Sequence, residues 1–308
     1  MNVFNRDDGK EIRIVPGYRE RVLSERISFS PRPDWTEPQY AVAAGRQIAR
    51  TQQLVDQYLH AGGRFENARV LDVGCGDAIS CLLIAAQHPV EQVIGIDLEL
   101  PLVDEGERHE RIRQLASAVC RQVGIDEGVD RLQRHLPLRL EKMDATKLTL
   151  ADGSVDFLRS RSALEHITPA AQAISEMGRV VRPGGLLQLS IDPFYWPRGC
   201  HKRGVVDIPW AHARLSADEY HRFVLESEGE RRARSRSQRL ATLNHYTLDQ
   251  WRTIVTSGPF DVLEWHEDPA KLAIEMLGDY PEVADTLRPE VSTRDLTHSR
   301  IKTWLRRQ

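Results

Sequence analysis

The sequence predicts an α/β fold built on a Rossmann-like, mostly parallel sheet, and three observations predict it. The first is Arg69-Val70-Leu71-Asp72-Val73-Gly74-Cys75-Gly76-Asp77-Ala78. Val70, Leu71 and Val73 make an apolar run too short for a helix and ended by glycine, which reads as a buried strand. Residues 78–86, rich in Leu, Ile and Ala, then read as a buried helix. The second is Val93-Ile94-Gly95-Ile96-Asp97, another buried strand, closing on an acid about twenty residues beyond the glycines. The third is the repetition of such units up to residue 190. Repeated strand, helix, strand units require a parallel sheet with right-handed crossovers, which gathers the strand C-terminal ends on one edge.

The glycine turn is where a ligand is expected. Glycines let backbone approach a bound group with no Cβ in the way, and a helix N-terminus offers N–H groups to an anion. A dinucleotide site uses the same device, but the third glycine of G-x-G-x-x-G would fall on Ile79. Asp97 stands where a carboxylate accepts hydrogen bonds from both hydroxyls of a ribose. Adenosine carrying a small anionic group fits both observations.

In chain order, the first 37 residues carry no strong period, and Ser30-Pro31-Arg32-Pro33-Asp34-Trp35 is extended or turn-like because each proline biases its predecessor away from helix. Residues 40–60 read as a helix: Ile48, Leu54, Val55, Tyr58 and Leu59 recur at helical spacing, and Gly62-Gly63 stops it. Residues 104–123 are a helix with Ile112, Leu115, Ala116 and Val119 inward, followed by a charged, turn-rich piece at 124–131. Residues 136–143 alternate as a strand does. Asp152-Gly153-Ser154 turns into a fourth strand from Val155, and residues 170–181 are a helix turning Ile174, Met177 and Val180 inward.

Residues 192–240 mix aromatics, prolines and histidines without a period and leave the sheet at its ligand edge, which suits a substrate lid. The aromatics there stack on a ring of the substrate or form the lid's own small core. Arg231, Arg232, Arg234, Arg236 and Arg239 read first as a solvated linker and second as a clamp for phosphate or carboxylate. In the tail, residues 270–277 are helical and residues 298–306 alternate.

The motif set resembles the class I S-adenosylmethionine-dependent methyltransferases, in the small-molecule, methyltransferase type 11-like branch with the Asp-Val-Gly-Cys-Gly signature at 72–76. Met143-Asp144-Ala145, the strand and loop from Val155 through Leu164-Glu165-His166-Ile167, Val181-Arg182-Pro183-Gly184-Gly185, and the pieces at 245–251 and 258–265 follow in family order. The resemblance implies a Rossmann-like seven-stranded methyltransferase sheet, mostly parallel with the last strand antiparallel. It also implies an N-terminal helical extension and a lid insertion after the fifth strand. Residues 1–62 would be that extension and cap helix, residues 63–308 the cofactor-binding domain, and residues 193–240 the lid. The last strand, near 298–306, would slot between the fifth and sixth, so C-terminal truncation should be poorly tolerated. By resemblance S-adenosylmethionine is held by Asp72, Gly74, Cys75, Gly76, Asp97, Leu98, Asp144, Ala145 and Ser160, with Asp97 on the ribose and Asp144 on the adenine. The cap helix would lie across the cofactor, bringing Arg46 and Arg50 toward its carboxylate or an acidic substrate. Gly199-Cys200-His201 with Pro209-Trp210-Ala211-His212 resembles methyltransferases among glycan-modifying enzymes and favours a saccharide hydroxyl.

Composition bounds the partners. A chain of 308 residues with net charge -3 has no general attraction to nucleic acid or anionic membrane. No apolar run approaches the roughly 20 residues of a membrane span, and the N-terminus lacks a secretory signal's apolar stretch, so cytoplasm is the expectation. Cys75, Cys81, Cys120 and Cys200 show no C-x-x-C spacing, and no metal centre is expected, Cys200, His201 and His212 matching no usual zinc pattern. Methyl transfer from a sulfonium is chiefly positioning and desolvation, but a hydroxyl acceptor must lose a proton, which calls for a base such as histidine. His166, His212 and His245 are the candidates, with His201 beside them. The expected partner is a small-molecule or saccharide acceptor. The alternatives are a non-catalytic cofactor-binding regulator and a nicotinamide dehydrogenase.

Overall fold

A computed structural model describes residues 3–24, 31–125, 128 and 131–308. Ser30 of the proline stretch, and residues 126, 127, 129 and 130 of the charged turn, lie outside the described residues. The chain opens with a hairpin, β1 (Val3–Asn5) and β2 (Glu11–Arg13), then α1 (Tyr18–Ser24) and the long α2 (Glu37–His60). The alternating core runs β3 (Arg69–Val73), α3 (Ile79–Gln87), β4 (Gln92–Asp97), α4 (Glu107–Gln122), α5 (Leu132–His135), β5 (Leu138–Lys142), β6 (Val155–Arg161), α6 (Ala170–Val180) and β7 (Val181–Ile191). Four helices follow: α7 (His201–Gly204), α8 (Ala211–Arg214), α9 (Ala217–Glu228) and α10 (Glu230–Ala241). The chain then forms α11 (Leu248–Thr256), β8 (Phe260–Pro269), α12 (Lys271–Asp279), α13 (Thr293–Thr297) and β9 (His298–Arg307).

Seven strands pair in the order β5-β4-β3-β6-β7-β9-β8. The pairs from β5 to β7 are parallel, and β9 runs antiparallel between β7 and β8. The last strand thus lies inside the sheet, as the resemblance implied, with Ile301, Thr303 and Leu305 on one face. These three side chains are fully buried. The Pro183-Gly184-Gly185 turn bulges out of β7 between the Val155–Val181 and Phe157–Leu186 pairs.

Period-two alternation sorts the strands into two covered faces. Leu71, Val73, Leu158 and Leu187 pack with α6 and α11. Val70, Phe157, Leu186 and Trp304 pack with α2, α3 and α4. Helix α2 starts earlier than its apolar period suggested because Thr36 caps it: the Thr36 backbone N–H donates to Gln39 Oε1. Such a cap contributes about 1 kcal/mol.

A third core lies outside the sheet. Phe4, Ile12, Tyr18 and Val22 from the N-terminal segment pack with Tyr195, Trp210, Tyr220 and Phe223 from the segment after β7, and with Met276, Val283 and Leu296 from the tail. Three stretches distant in sequence therefore build this core, the segment expected to be a lid among them. The Val15 N–H donates to Asp207 O at 2.7 Å, and the Trp210 N–H to Tyr18 Oη at 3.2 Å. The N-terminal stretch without a period is this hairpin and helix, whose Asp8-Gly9 turn is a recognised hairpin signal. The arginine run is helix α10, not a linker. Arg236 is buried in it and bonds Glu228 at 2.8 Å and the Val205 carbonyl at 3.1 Å.

Candidate functional site

A cleft of about 1030 Å³ opens at the C-terminal ends of β3, β4, β5 and β6, with residues of the lid on its far wall. At its base, β3 ends in Gly74 with φ 74° and Gly76 with φ 57°, a conformation that L side chains rarely adopt. A Cβ on Gly74 would also come within 2.2 Å of the Ala163 Cβ. The turn is tied to β4: the N–H groups of Gly74 and Cys75 both donate to Ile96 O, at 2.8 and 3.0 Å. The Gly76 N–H donates to Asp97 Oδ2 at 2.9 Å.

Asp97 therefore sits at the mouth of the turn, its other oxygen accepting from the Leu98 N–H at 2.7 Å. Beside it Leu98 is 75% exposed, an apolar side chain turned onto the cleft. Just past the end of the neighbouring strand β5, Asp144 accepts from the Thr146 N–H and hydroxyl, both at 2.8 Å, and those bonds hold its carboxyl below the usual range. Asp72, Gly74, Cys75, Gly76, Asp97, Leu98, Asp144 and Ala145 all line this one cleft. Ser160 does not; by strand parity its side chain lies on the opposite face of β6, where it is buried.

The three candidate histidines separate. His166 closes a single 3-10 turn after β6 (Leu164–His166) and lines the cleft, its ring 5.1 Å from that of His201. Burial, and then the Arg239 charge, hold it below the ordinary histidine value, so it is neutral at physiological pH. His212 lies inside the lid core, bonded to the carbonyls of Tyr195 and Trp196 at 3.3 and 3.2 Å, and burial pushes it down to about 3. His245 stacks on Phe194 at 4.0 Å and bonds Leu240 O at 3.0 Å. Neither lines the cleft. Of the lid aromatics only Trp196 does so among the described residues. Phe194, Tyr195 and Trp210 fill the lid's own core. Cys200 is buried there too.

Several site residues were missed in the sequence. Asn244 holds the His166 turn: its N–H donates to Glu165 O at 2.7 Å, and its amide donates to Leu164 O and Ile167 O at 2.9 and 2.7 Å. Nothing in its sequence context marks it. Arg159 and Arg161 were legible. They follow Phe157 at a spacing of two, and a charge in a buried parallel strand requires a partner. Arg159 has one in Asp72, its cross-strand neighbour, at 3.0 Å, with both side chains buried. Arg300 pairs with Asp192 at 2.8 Å. Gln47 of α2 donates to Asp77 at 2.9 Å, tying the cap helix to the glycine turn. Glu165 is buried, and desolvation followed by repulsion from Asp192 raises it to about 8.

Comparison with known proteins agrees with this geometry. Residues 71–189 match the family described as a methyltransferase domain. An uncharacterized 37.1 kDa protein of a Streptomyces fradiae transposon is 32% identical over 182 residues, 58% of this chain and 45% of that protein. A malonyl-[acyl-carrier protein] O-methyltransferase of Methylococcus capsulatus is 30% identical over 171 residues, 52% of each chain. The chain thus spans about half the length of these curated relatives. The structure of a candidate sarcosine dimethylglycine methyltransferase from Galdieria sulphuraria superposes with a TM-score of 0.50 at 11% identity, over 94% of this chain and 97% of that one. With the sheet order above, residues 71–189 are thus a methyltransferase domain. No helix among the described residues is long and apolar enough to cross a membrane.

Proposed function

We propose that the protein transfers a methyl group from S-adenosylmethionine to a hydroxyl of a small molecule, a saccharide among the candidates. The observation that carries this is the convergence of the glycine turn, Asp97, Leu98 and Asp144 in one cleft that also contains a neutral histidine. The residues suit the cofactor. Asp97 is placed to accept the ribose hydroxyls, and the exposed Leu98 with Met143 and Ala145 offers an apolar bed for a purine ring. Asp144 accepts from its amino group, and the open face at Gly76, where a Cβ would meet nothing within 4 Å, leaves room for the aminocarboxypropyl arm. When bound, the cofactor supplies an electrophilic methyl on a sulfonium.

The chain supplies position, dryness and a base. The lid segment and α1, packed in one core, cover the cleft through Trp196, His201 and Leu23, which favours in-line alignment and desolvation. His166 accepts the hydroxyl proton on a ring nitrogen, and Asn244 positions the turn that carries it. A saccharide ring would stack on Trp196. The cleft lies at the upper end of the range for small-molecule sites.

Calorimetric titration with S-adenosylmethionine, S-adenosylhomocysteine and NAD tests the reading. Binding of the two sulfur compounds alone is expected, and binding of NAD instead would refute it. Asp97→Ala removes two charge-assisted hydrogen bonds of about 1.5–3 kcal/mol each, so affinity should fall at least about 100-fold. Turnover distinguishes an enzyme from a regulator: binding with no transfer to any acceptor would favour the latter.

A further inference from the structure

The cleft is more cationic than the chain that builds it. Eight arginines and lysines line it against six carboxylates, in a protein whose net charge is -3. Four of the eight cations, Arg50, Arg159, Arg161 and Arg300, stand together on one side. Along the sheet face under α2, the apolar residues Val70, Phe157 and Trp304 give way toward the C-terminal edge to Asp72, to Arg159 and Arg161, and to Lys302 and Arg300. Arg50 of α2 approaches from above, and burial lowers its pKa.

Most of this layer is compensated. Arg159 pairs with Asp72 and Arg300 with Asp192, while Asp77 attracts Arg50. Arg161 differs. It stands two residues beyond Arg159 on the same strand and face, and its guanidinium makes no hydrogen bond or ion pair with any described residue. Burial, then repulsion from Arg50, Arg300 and Arg159, pushes it down to about 9 against the weaker attraction of Asp192, which is itself paired with Arg300. A guanidinium partly removed from water without an ion-pair partner is costly, and its planar fork matches a carboxylate or phosphate. The cofactor does not balance the layer: its carboxylate is outnumbered by its own sulfonium and ammonium, so its arrival adds positive charge.

We propose that Arg161, flanked by Arg50 and Arg300 at the edge of β6, is an anion subsite that recognises a carboxylate or phosphate on the acceptor, making the methyl acceptor an acidic small molecule. This rests on the methyltransferase reading above. On the opposite wall Lys202 and Arg239 extend the same potential toward the mouth of the cleft. A neutral acceptor would leave Arg161 half-buried and without an ion-pair partner. An acidic one pairs it.

The test separates cofactor from acceptor. S-adenosylhomocysteine is titrated into the wild type and into Arg161→Gln and Arg161→Lys; succinate, inorganic phosphate and the neutral analogue succinamide are then titrated into each saturated protein. Affinity for S-adenosylhomocysteine should change less than about threefold, and the saturated wild type should bind succinate or phosphate but not succinamide. Arg161→Gln should lose at least about tenfold of that anion affinity, with part retained in Arg161→Lys. Preference for succinate or for phosphate identifies the acidic group, and either supports the subsite. In thermal melts, which check folding, the anion should raise the Tm of the wild type and not of Arg161→Gln. Equal anion affinity in wild type and Arg161→Gln, or none in the wild type, would overturn the proposal. So would a tenfold loss confined to S-adenosylhomocysteine, which would hand Arg161 to the cofactor carboxylate. Failure of the wild type to bind S-adenosylhomocysteine shows itself before any anion is added and removes the underlying reading instead.

Discussion

Asp72 and Arg159 offer the sharpest test of how the site is built. They are register partners on β3 and β6, both buried, with Arg159 Nη1 at 3.0 Å from Asp72 Oδ2. At that distance the attraction is about 5–6 kcal/mol for an effective dielectric near 20, much of it offset by the desolvation of both ions. Breaking a buried pair from one side therefore costs about 3–5 kcal/mol, since the other charge is stranded. The two sides are not equivalent here. Asp72→Asn leaves Arg159 facing Arg161 and Arg50, cations whose mutual repulsion already lowers Arg161, so it should reach the upper end of that range. Arg159→Gln leaves Asp72 with Arg50 still nearby, so its cost should be about 1–3 kcal/mol. The double variant should be less destabilised than the sum of the singles by about 2 kcal/mol, within the coupling seen for touching residues. Urea unfolding at pH 7.5 of the four proteins measures this. A cost below about 1 kcal/mol for Asp72→Asn, a larger cost for Arg159→Gln, or strict additivity would refute the reasoning.

Two further predictions concern protons. His166 lies below its ordinary value through burial and the Arg239 charge, so the acid limb of the pH–rate profile should fall below pH 6.5. Arg239→Gln should move that limb upward, because a repelling cation is gone, while His166→Asn should lower kcat by about 10²–10⁴-fold; an unmoved limb would exclude His166 as the base. His212 is held neutral down to about 3 in the folded chain and takes up a proton near 6.5 when unfolded. The unfolded state thus binds more protons between those values, and stability falls as pH drops below 6.5, by up to about 1.4 kcal/mol per pH unit from this group. His212→Gln should flatten that slope in urea titrations from pH 7 to pH 4, and an unchanged slope would show that the group is not buried neutral.

The legible part of the site was the part coded in consecutive residues. The glycine turn at 74–76, Asp97 at the end of β4 and Asp144 after β5 are each tied to a strand end, and parallel topology brings all strand ends to one edge. Ser160 shows the limit: it is one residue from Arg161, and strand parity alone sends the two side chains to opposite faces. The histidines show another. His166, His212 and His245 look alike in sequence, yet one lines the cleft and the others are held by carbonyls in and beside the lid core.

The sequence by itself determined the parallel core of the sheet, because period and length decide strand from helix and connection handedness decides order, while the antiparallel strand threaded between β7 and β8 was implied by the family resemblance. Only the tertiary structure decided the lid. Residues 3–24, the segment after β7 and the tail share one core, and contacts over such separations leave no periodic trace in any of the three. It also decided which charges are paired. Arg159 finds Asp72 across a strand pair while Arg161, two residues on, passes the end of β3 and finds none, a difference set by where one strand stops and another continues.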